Sequence, residues 1–127
     1  MTRRRAPMKV VVADDLGSVR RLVAILSGNG FDVLEAPSMT AALGAIDDDV
    51  ALVLTDIEMP GGSGVELIER IRRQRPSLPV IAMSGHALRL NDASRAGATA
   101  LALKPFTGEE LLLATEVCLA PRRLEKG

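Results

Sequence analysis

The stretch Val50–Pro60, V-A-L-V-L-T-D-I-E-M-P, decides the fold that the sequence predicts. It is a short apolar run that ends in one carboxylate, Asp56, and Gly61 and Gly62 follow as part of a turn. An apolar run without polar alternation is typical of a strand that is buried on both faces of a parallel sheet. A carboxylate at the carboxyl end of such a strand lies where open α/β folds bind ligands. We therefore predict that Asp56 is the reactive group.

Strand and helix patterns alternate along the whole chain. The strands are predicted at Lys9–Ala13, Phe31–Leu34, Val50–Asp56, Val80–Met83 and Ala100–Leu103. The helices are predicted around Val19–Leu26, from Ser38 to Ile46, from Ser63 through Ile71, around Asp92–Ala96 and from Thr107 to about Leu119. This alternation predicts an α/β fold, in which a parallel sheet is covered by helices on both faces.

Two predicted helix starts carry the capping-box pattern, in which a Ser or Thr and a Glu three residues later satisfy each other's backbone amides. The two pairs are Ser63 with Glu66 and Thr107 with Glu110. Pro121 is expected to end the last helix, because proline lacks the amide hydrogen that a helix interior requires.

Length and composition limit the possible functions. With 127 residues, of which 47% are hydrophobic, the chain is predicted to form one folded domain over residues 8–120. Residues 1–7, which include the basic run Arg3–Arg5, are expected to be disordered, and residues 121–127 are expected to form a polar tail. Contact of these arginines with nucleic acid is the less favoured alternative. Lys+Arg and Asp+Glu are both 16, so no global field attracts nucleic acid, and we expect no direct DNA binding.

Cysteine content and hydropathy indicate the compartment. Cys118 is the only cysteine, so the chain cannot form an internal disulfide. The sequence has neither an export signal nor an apolar stretch approaching the roughly 20 residues that a membrane-spanning helix needs. These features predict a cytoplasmic protein without membrane insertion.

Polar residues end or follow four of the five predicted strands: Asp14 and Asp15, Asp56, Ser84, and Lys104. The carboxyl ends of parallel strands converge at one edge of a doubly wound sheet, so these side chains should lie together. Three neighbouring carboxylates repel each other, and a hard cation such as Mg²⁺ would compensate them. Lys104 could hold an anion beside the metal, and Ser84 could donate a hydrogen bond to that anion.

These groups are the parts needed to hold a phosphoryl group, whose transfer depends mainly on positioning and charge neutralisation. Aspartate is a known class of phosphoryl acceptor, and Asp56 alone projects from the central strand. Taken singly, each residue has an ordinary structural interpretation, such as a helix cap for Asp14 or a solvated loop lysine for Lys104. The ordered set at successive strand ends favours the functional interpretation.

Four segments resemble the signature segments of two-component response-regulator receiver domains, in order along the chain. They are A-D-D-L at 13–16, L-T-D-I-E-M-P-G-G-S-G at 54–64, I-A-M-S-G-H at 81–86 and L-K-P-F at 103–106. The resemblance extends from about Lys9 to Leu119 and is greatest to stand-alone, chemotaxis-regulator-like receivers. It implies a flavodoxin-like sheet of five strands in the order 2-1-3-4-5. It also implies a phosphoprotein of phosphorelay signal transduction, phosphorylated with Mg²⁺ by a histidine kinase or a histidine phosphotransfer protein.

The resemblance also implies roles for individual residues. Asp56 would be the phosphoacceptor. Asp15, Asp56 and the backbone carbonyl of Glu58 would bind the metal directly, and Asp14 would act mainly through water. Lys104 would pair with the phosphoryl group, and Ser84 would be the switch hydroxyl that moves to bond a phosphoryl oxygen.

The sequence departs from the family pattern near the switch. Leu101 stands where an aromatic residue is usual, so we expect the switch to run through Ser84 and its loop. The segment between Ser84 and Lys104 is a couple of residues shorter than usual. Glu58 and His86 should flank the phosphoryl pocket, where we expect them to modulate hydrolysis, although a solvated loop position is the ordinary interpretation of His86.

The family's usual surface for downstream protein partners is the face formed by the fourth helix, the fifth strand and the fifth helix. Leu88 and Leu90 should be exposed in this region, and either partial burial or docking would explain them. The chain ends soon after the predicted fifth helix, so no effector domain is expected in it.

Other functions remain open at the sequence level. A phosphohydrolase of similar architecture would need a D-x-D motif on the first strand, whereas Asp14 and Asp15 are adjacent and Asp56 lies on the third. A flavin site is disfavoured because only 2% of the residues are aromatic. The chain could also be the receiver module of a larger response regulator or hybrid kinase, or a phosphorylation-independent binding module. We expect a switch rather than an enzyme with a separate substrate.

Overall fold

The computed structural model describes the backbone of residues 7–59 and 62–126, and their side chains except those of 16–18 and 121–126. The predicted disordered N-terminus therefore lies outside the described residues, apart from Pro7, which is exposed.

Five parallel strands form the sheet, in the spatial order β2-β1-β3-β4-β5. Their bounds are β1 Lys9–Ala13, β2 Asp32–Ala36, β3 Val50–Asp56, β4 Val80–Ser84 and β5 Ala100–Leu103. A short antiparallel pair, Glu58–Met59 with Gly62–Ser63, follows β3 and lies outside this sheet. The flavodoxin-like fold and its strand order are therefore confirmed.

Helices cover both faces of the sheet. Their bounds are α1 Leu16–Ser27, α2 Met39–Ala45, α3 Gly64–Gln74, α4 Ala87–Ala96 and α5 Gly108–Lys126. One apolar cluster joins the sheet to α2, α3 and α4, and a second joins it to α1 and α5. Strand β3 contributes to both, because Val53 belongs to the first cluster while Leu52 and Leu54 belong to the second. This double burial explains why the run that ends at Asp56 has no polar alternation.

The predicted capping boxes have different outcomes. At α5 both bonds form, because the Thr107 amide donates to Glu110 Oε1 and the Glu110 amide donates to Thr107 Oγ1, each at 3.0 Å. At α3 only the first half forms: Ser63 Oγ caps the helix, but Glu66 instead pairs with Arg70 at 3.3 Å. An exposed Glu can exchange the backbone partner for an arginine one turn away at little cost.

Three local predictions were wrong. Helix α4 begins at Ala87 instead of near Asp92, since Leu90 packs into the core and extends the apolar face towards the N-terminus. Leu90 is therefore buried, contrary to the expectation that it is exposed. Helix α5 continues past Pro121 to Lys126, so residues 121–126 are not a separate tail. A proline removes one backbone hydrogen bond from a helix, and here that loss does not end the helix.

No helix in the described part of the chain is both long and apolar enough to cross a membrane.

Candidate phosphoryl-acceptor site

The predicted polar residues meet at the carboxyl edge of the sheet. Asp56 is the last residue of β3, and Ser84 is the last residue of the neighbouring β4. Asp14 and Asp15 follow β1, which pairs with β3 on its other side, and Lys104 follows β5. The structure therefore brings together all five residues that the sequence predicted for this edge.

Helix α3 packs directly against the backbone that follows Asp56. The Gly64 amide donates to the Ile57 carbonyl at 2.9 Å. A Cβ atom at Gly64 would clash with the Asp56 carbonyl oxygen and would lie 2.6 Å from the Ile57 Cα. Only glycine permits this approach, which fixes the strand end that carries Asp56.

The three aspartates form a compact acidic cluster. One carboxylate oxygen from each of Asp14, Asp15 and Asp56 lies within 4.8 Å of the others. Asp14 and Asp56 are buried, whereas Asp15 is more accessible to solvent. Such a concentration of like charges in a buried edge is unfavourable unless positive charge is supplied.

Lys104 supplies part of that charge. Its Nζ donates to Asp56 Oδ2 at 3.2 Å and lies 3.8 Å from Asp14 Oδ2. The peptide bond between Lys104 and Pro105 is cis. This one ammonium group reaches both buried carboxylates and cannot neutralise two negative charges, so Asp14 and Asp56 together retain an excess of negative charge.

Asp14 bears most of this imbalance. Its Oδ1 accepts the Asp15 amide at 2.7 Å, but its Oδ2 is buried and accepts no hydrogen bond. Burial, with a further contribution from the neighbouring Asp56, raises the pKa of Asp14 to about 7. The hydrogen bond from the Asp15 amide and the charge of Lys104 act in the opposite direction and lower this pKa. A buried acceptor without a donor, beside two further carboxylates, fits a hard divalent cation with oxygen ligands, such as Mg²⁺.

Glu58 and Ser84 are directly connected. The Glu58 amide donates to Asp56 Oδ1 at 3.2 Å, and the Ser84 hydroxyl donates to Glu58 Oε1 at 2.7 Å. Ser84 Oγ also accepts the His86 amide at 3.0 Å, while the His86 side chain is exposed. The sequence predicted that Glu58 and His86 flank the pocket, but it did not predict the bond between Glu58 and Ser84.

A contact with the loop after Lys104 was also not predicted from the sequence. Arg21, on α1, donates from Nη2 to the Phe106 carbonyl at 2.7 Å. Its guanidinium lies 5.8 Å from the centroid of the Phe106 ring, within the range of a cation–π contact. The two residues are 85 positions apart, so no local pattern signals their contact.

The surface predicted for protein partners is apolar in part. The Leu101 side chain is 42% exposed, so it is not packed into the core. Leu88 is 80% exposed, as predicted. Among the described side chains of α4, β5 and α5, the exposed large hydrophobic residues are Leu88, Leu101, Leu103, Leu113 and Val117.

Comparisons with known proteins point to one family. The chain matches the family described as response regulator receiver domain over residues 10–116. It is 34% identical over 111 residues to the chemotaxis protein CheY-3 of Vibrio cholerae, covering 82% of this chain and 85% of that protein. It is 32% identical over 122 residues to the C4-dicarboxylate transport transcriptional regulatory protein DctD of Rhizobium meliloti, covering 94% of this chain and 26% of that protein. A solved CheY-like receiver domain protein from Methanospirillum hungatei superposes with a TM-score of 0.85 at 27% identity, covering 94% and 98% of the two chains.

Gly64→Ala should destabilise the protein, because the added Cβ meets the backbone beside Asp56. We expect a loss of about 2 kcal/mol or more in the free energy of unfolding, measured with urea. Gly44→Ala is the matched control: Gly44 lies in α2 with open space around it, so alanine should stabilise the protein by about 0.5–1 kcal/mol. Equal effects of the two substitutions would contradict the close packing at Gly64.

The raised pKa of Asp14 predicts that stability depends on pH when divalent cations are removed with EDTA. The pKa of Asp14 is about 7 in the folded protein, whereas in the unfolded chain the carboxyl has the ordinary aspartate pKa of 3.8. Stability from this group is therefore full at low pH and is lost as the pH rises through about 7.

Asp14→Asn removes this titration. Its free energy of unfolding, relative to that of the natural sequence, should rise by about 2 kcal/mol between pH 5 and pH 8. Asp92→Asn changes an exposed carboxylate on α4 and is the control. Parallel pH profiles for Asp14→Asn and the natural sequence would show that Asp14 titrates normally.

Proposed function

Because the chain belongs to the response regulator receiver domain family, we propose that it accepts a phosphoryl group on Asp56 and thereby changes its protein contacts. The donor is a phosphohistidine of a histidine kinase or of a histidine phosphotransfer protein. The observation that carries the proposal is the pairing of buried Asp56 with Lys104 beside the acidic cluster. The protein acts as a switch that is itself modified, and not as an enzyme that turns over a separate substrate.

The contacts of Asp56 suit nucleophilic attack on phosphorus. The Glu58 amide binds Oδ1 and the Lys104 ammonium binds Oδ2, so the carboxylate is held in one orientation. In the proposed step an Asp56 oxygen forms a bond to phosphorus while the bond from phosphorus to the histidine nitrogen breaks. The products are an acyl phosphate and a free imidazole. Orientation of the acceptor and neutralisation of charge are the main contributions that a protein makes to such a transfer.

The acidic cluster supports Mg²⁺ as the cofactor. Asp15, Asp56 and the Glu58 carbonyl would hold the ion, with Asp14 acting mainly through water. A bound Mg²⁺ supplies positive charge to the phosphoryl oxygens. Lys104 pairs with one of these oxygens, and its present bond to Asp56 Oδ2 places its ammonium group beside the acceptor.

The output is proposed to be a changed protein surface. Ser84 would donate its hydroxyl to a phosphoryl oxygen, and the backbone that follows it leads directly into α4. Exposed apolar residues on α4, β5 and α5, such as Leu88, Leu101 and Leu113, support a downstream protein partner on this face. The absence of direct DNA binding and the cytoplasmic location remain predictions from the sequence.

A second candidate is a receiver module within a larger regulator. The similarity to the Rhizobium meliloti regulator supports it, since the chain corresponds to only 26% of that protein. The phosphoryl chemistry of Asp56 would be the same in both cases, and only the route of the output would differ.

Intact mass measured after incubation with acetyl phosphate and Mg²⁺ tests the proposal. We expect one added phosphoryl group in the natural sequence, and none without Mg²⁺ or in Asp56→Asn. Asp92→Asn, which changes an exposed aspartate on α4, should be phosphorylated normally. An adduct that persists in Asp56→Asn would refute Asp56 as the acceptor.

Rapid hydrolysis could hide the adduct, so beryllium fluoride, a phosphoryl analogue, provides a second readout. With Mg²⁺ it should raise the melting temperature of the natural sequence but not that of Asp56→Asn. Failure of both the mass and the stability measurement would refute phosphoryl acceptance.

A further inference from the structure

The switch hydroxyl already has an acceptor in the unphosphorylated protein. Ser84 is fully buried, and its hydroxyl donates to Glu58 Oε1 at 2.7 Å. A hydroxyl has a single proton to donate, so this bond uses the whole donor capacity of Ser84. The His86 amide occupies one of its acceptor positions at 3.0 Å.

Glu58 is linked to both ends of the site. Its backbone amide donates to Asp56 Oδ1, and its side chain accepts the hydrogen bond from Ser84. Its carboxylate is therefore an anionic acceptor for the hydroxyl that would bind the phosphoryl group, and its backbone contacts the phosphoryl-accepting residue. The bond is short and assisted by charge, which makes it stronger than a bond between neutral groups.

We propose that Glu58 is a positioning residue whose carboxylate stands in for a phosphoryl oxygen and holds the Ser84 hydroxyl until Asp56 is phosphorylated. The inference rests on the proposed function. A phosphoryl group on Asp56 obtains the Ser84 donor only by displacing Glu58. The hydroxyl therefore exchanges one anionic acceptor for another, and Glu58 weakens the response to phosphorylation.

A double-mutant cycle separates this role from simple charge repulsion. The readout is the affinity for beryllium fluoride in the presence of Mg²⁺, measured by the shift in stability. Glu58→Ala should bind the analogue roughly three- to tenfold more tightly than the natural sequence, because Ser84 no longer has a competing acceptor. In the Ser84→Ala background, the increase in affinity for beryllium fluoride caused by Glu58→Ala should be at least threefold smaller.

Two further variants control the interpretation. Glu58→Gln keeps an oxygen that accepts from Ser84 but removes the charge, so it should gain less affinity than Glu58→Ala. Glu69→Ala removes an exposed carboxylate on α3 and should leave the affinity unchanged. Equal gains from Glu58→Ala with and without Ser84 would overturn the proposal, because repulsion alone would then explain them.

The same cycle without Mg²⁺ or fluoride tests the hold on Ser84 in the resting protein. The folding equilibrium constants of the single and double variants, measured with urea, should show roughly threefold or greater non-additivity. Additive effects would overturn the proposal. If the natural sequence binds the analogue and either cycle is additive, the inference fails while the proposed function stands. If the natural sequence neither binds the analogue nor gains a phosphoryl group from acetyl phosphate, the proposed function fails and the stand-in role fails with it.

Discussion

The excess of negative charge around Asp14 and Asp56 is the constraint on which the rest of the site depends. The two buried carboxylates share one ammonium group, that of Lys104, and one buried oxygen of Asp14 accepts no hydrogen bond. Such an arrangement lowers the stability of the protein and persists because apolar layers on both faces of the sheet offset its cost. A local violation of the usual rules for burial of charge is typical of functional sites.

The same constraint connects the acceptor to the surface. Hydrogen bonds link Asp56, Glu58 and Ser84, so we expect a group that brings positive charge or replaces an acceptor at this edge to change their partners together. Ser84 ends β4, and α4 begins three residues later at Ala87. The Ser84 hydroxyl therefore lies near the start of α4, which carries the exposed Leu88, so a change in its hydrogen bonding occurs near this face. Coupling of this kind requires two alternative arrangements of one loop.

The fold and the membership of the site could be predicted from the sequence because both depend on patterns along the chain. The uninterrupted apolar run before Asp56 indicated a strand that is buried on both faces. Because the carboxyl ends of parallel strands converge, the positions of the acidic residues, Ser84 and Lys104 after these strands predicted that they lie together. The bond between Glu58 and Ser84 could not be predicted, since it depends on side-chain rotamers. The contact of Arg21 with the Phe106 carbonyl also could not be predicted from the sequence, because only the tertiary structure brings these distant residues together. The end of α5 was predicted wrongly from Pro121, because local propensity is a weak determinant of where a helix ends.

The buried carboxylates of Asp14 and Asp56 carry more negative charge than Lys104 neutralises, and a divalent cation would supply the missing positive charge. The most direct test is the number of protons released when Mg²⁺ binds, from calorimetry in buffers of different ionisation enthalpy. With the pKa of Asp14 raised to about 7, Mg²⁺ should release about half a proton at pH 7. The release should vanish at pH 9 and in Asp14→Asn. Mg²⁺ binding at pH 7 without proton release, or with the same release in Asp14→Asn, would show that Asp14 does not hold a proton that the cation displaces.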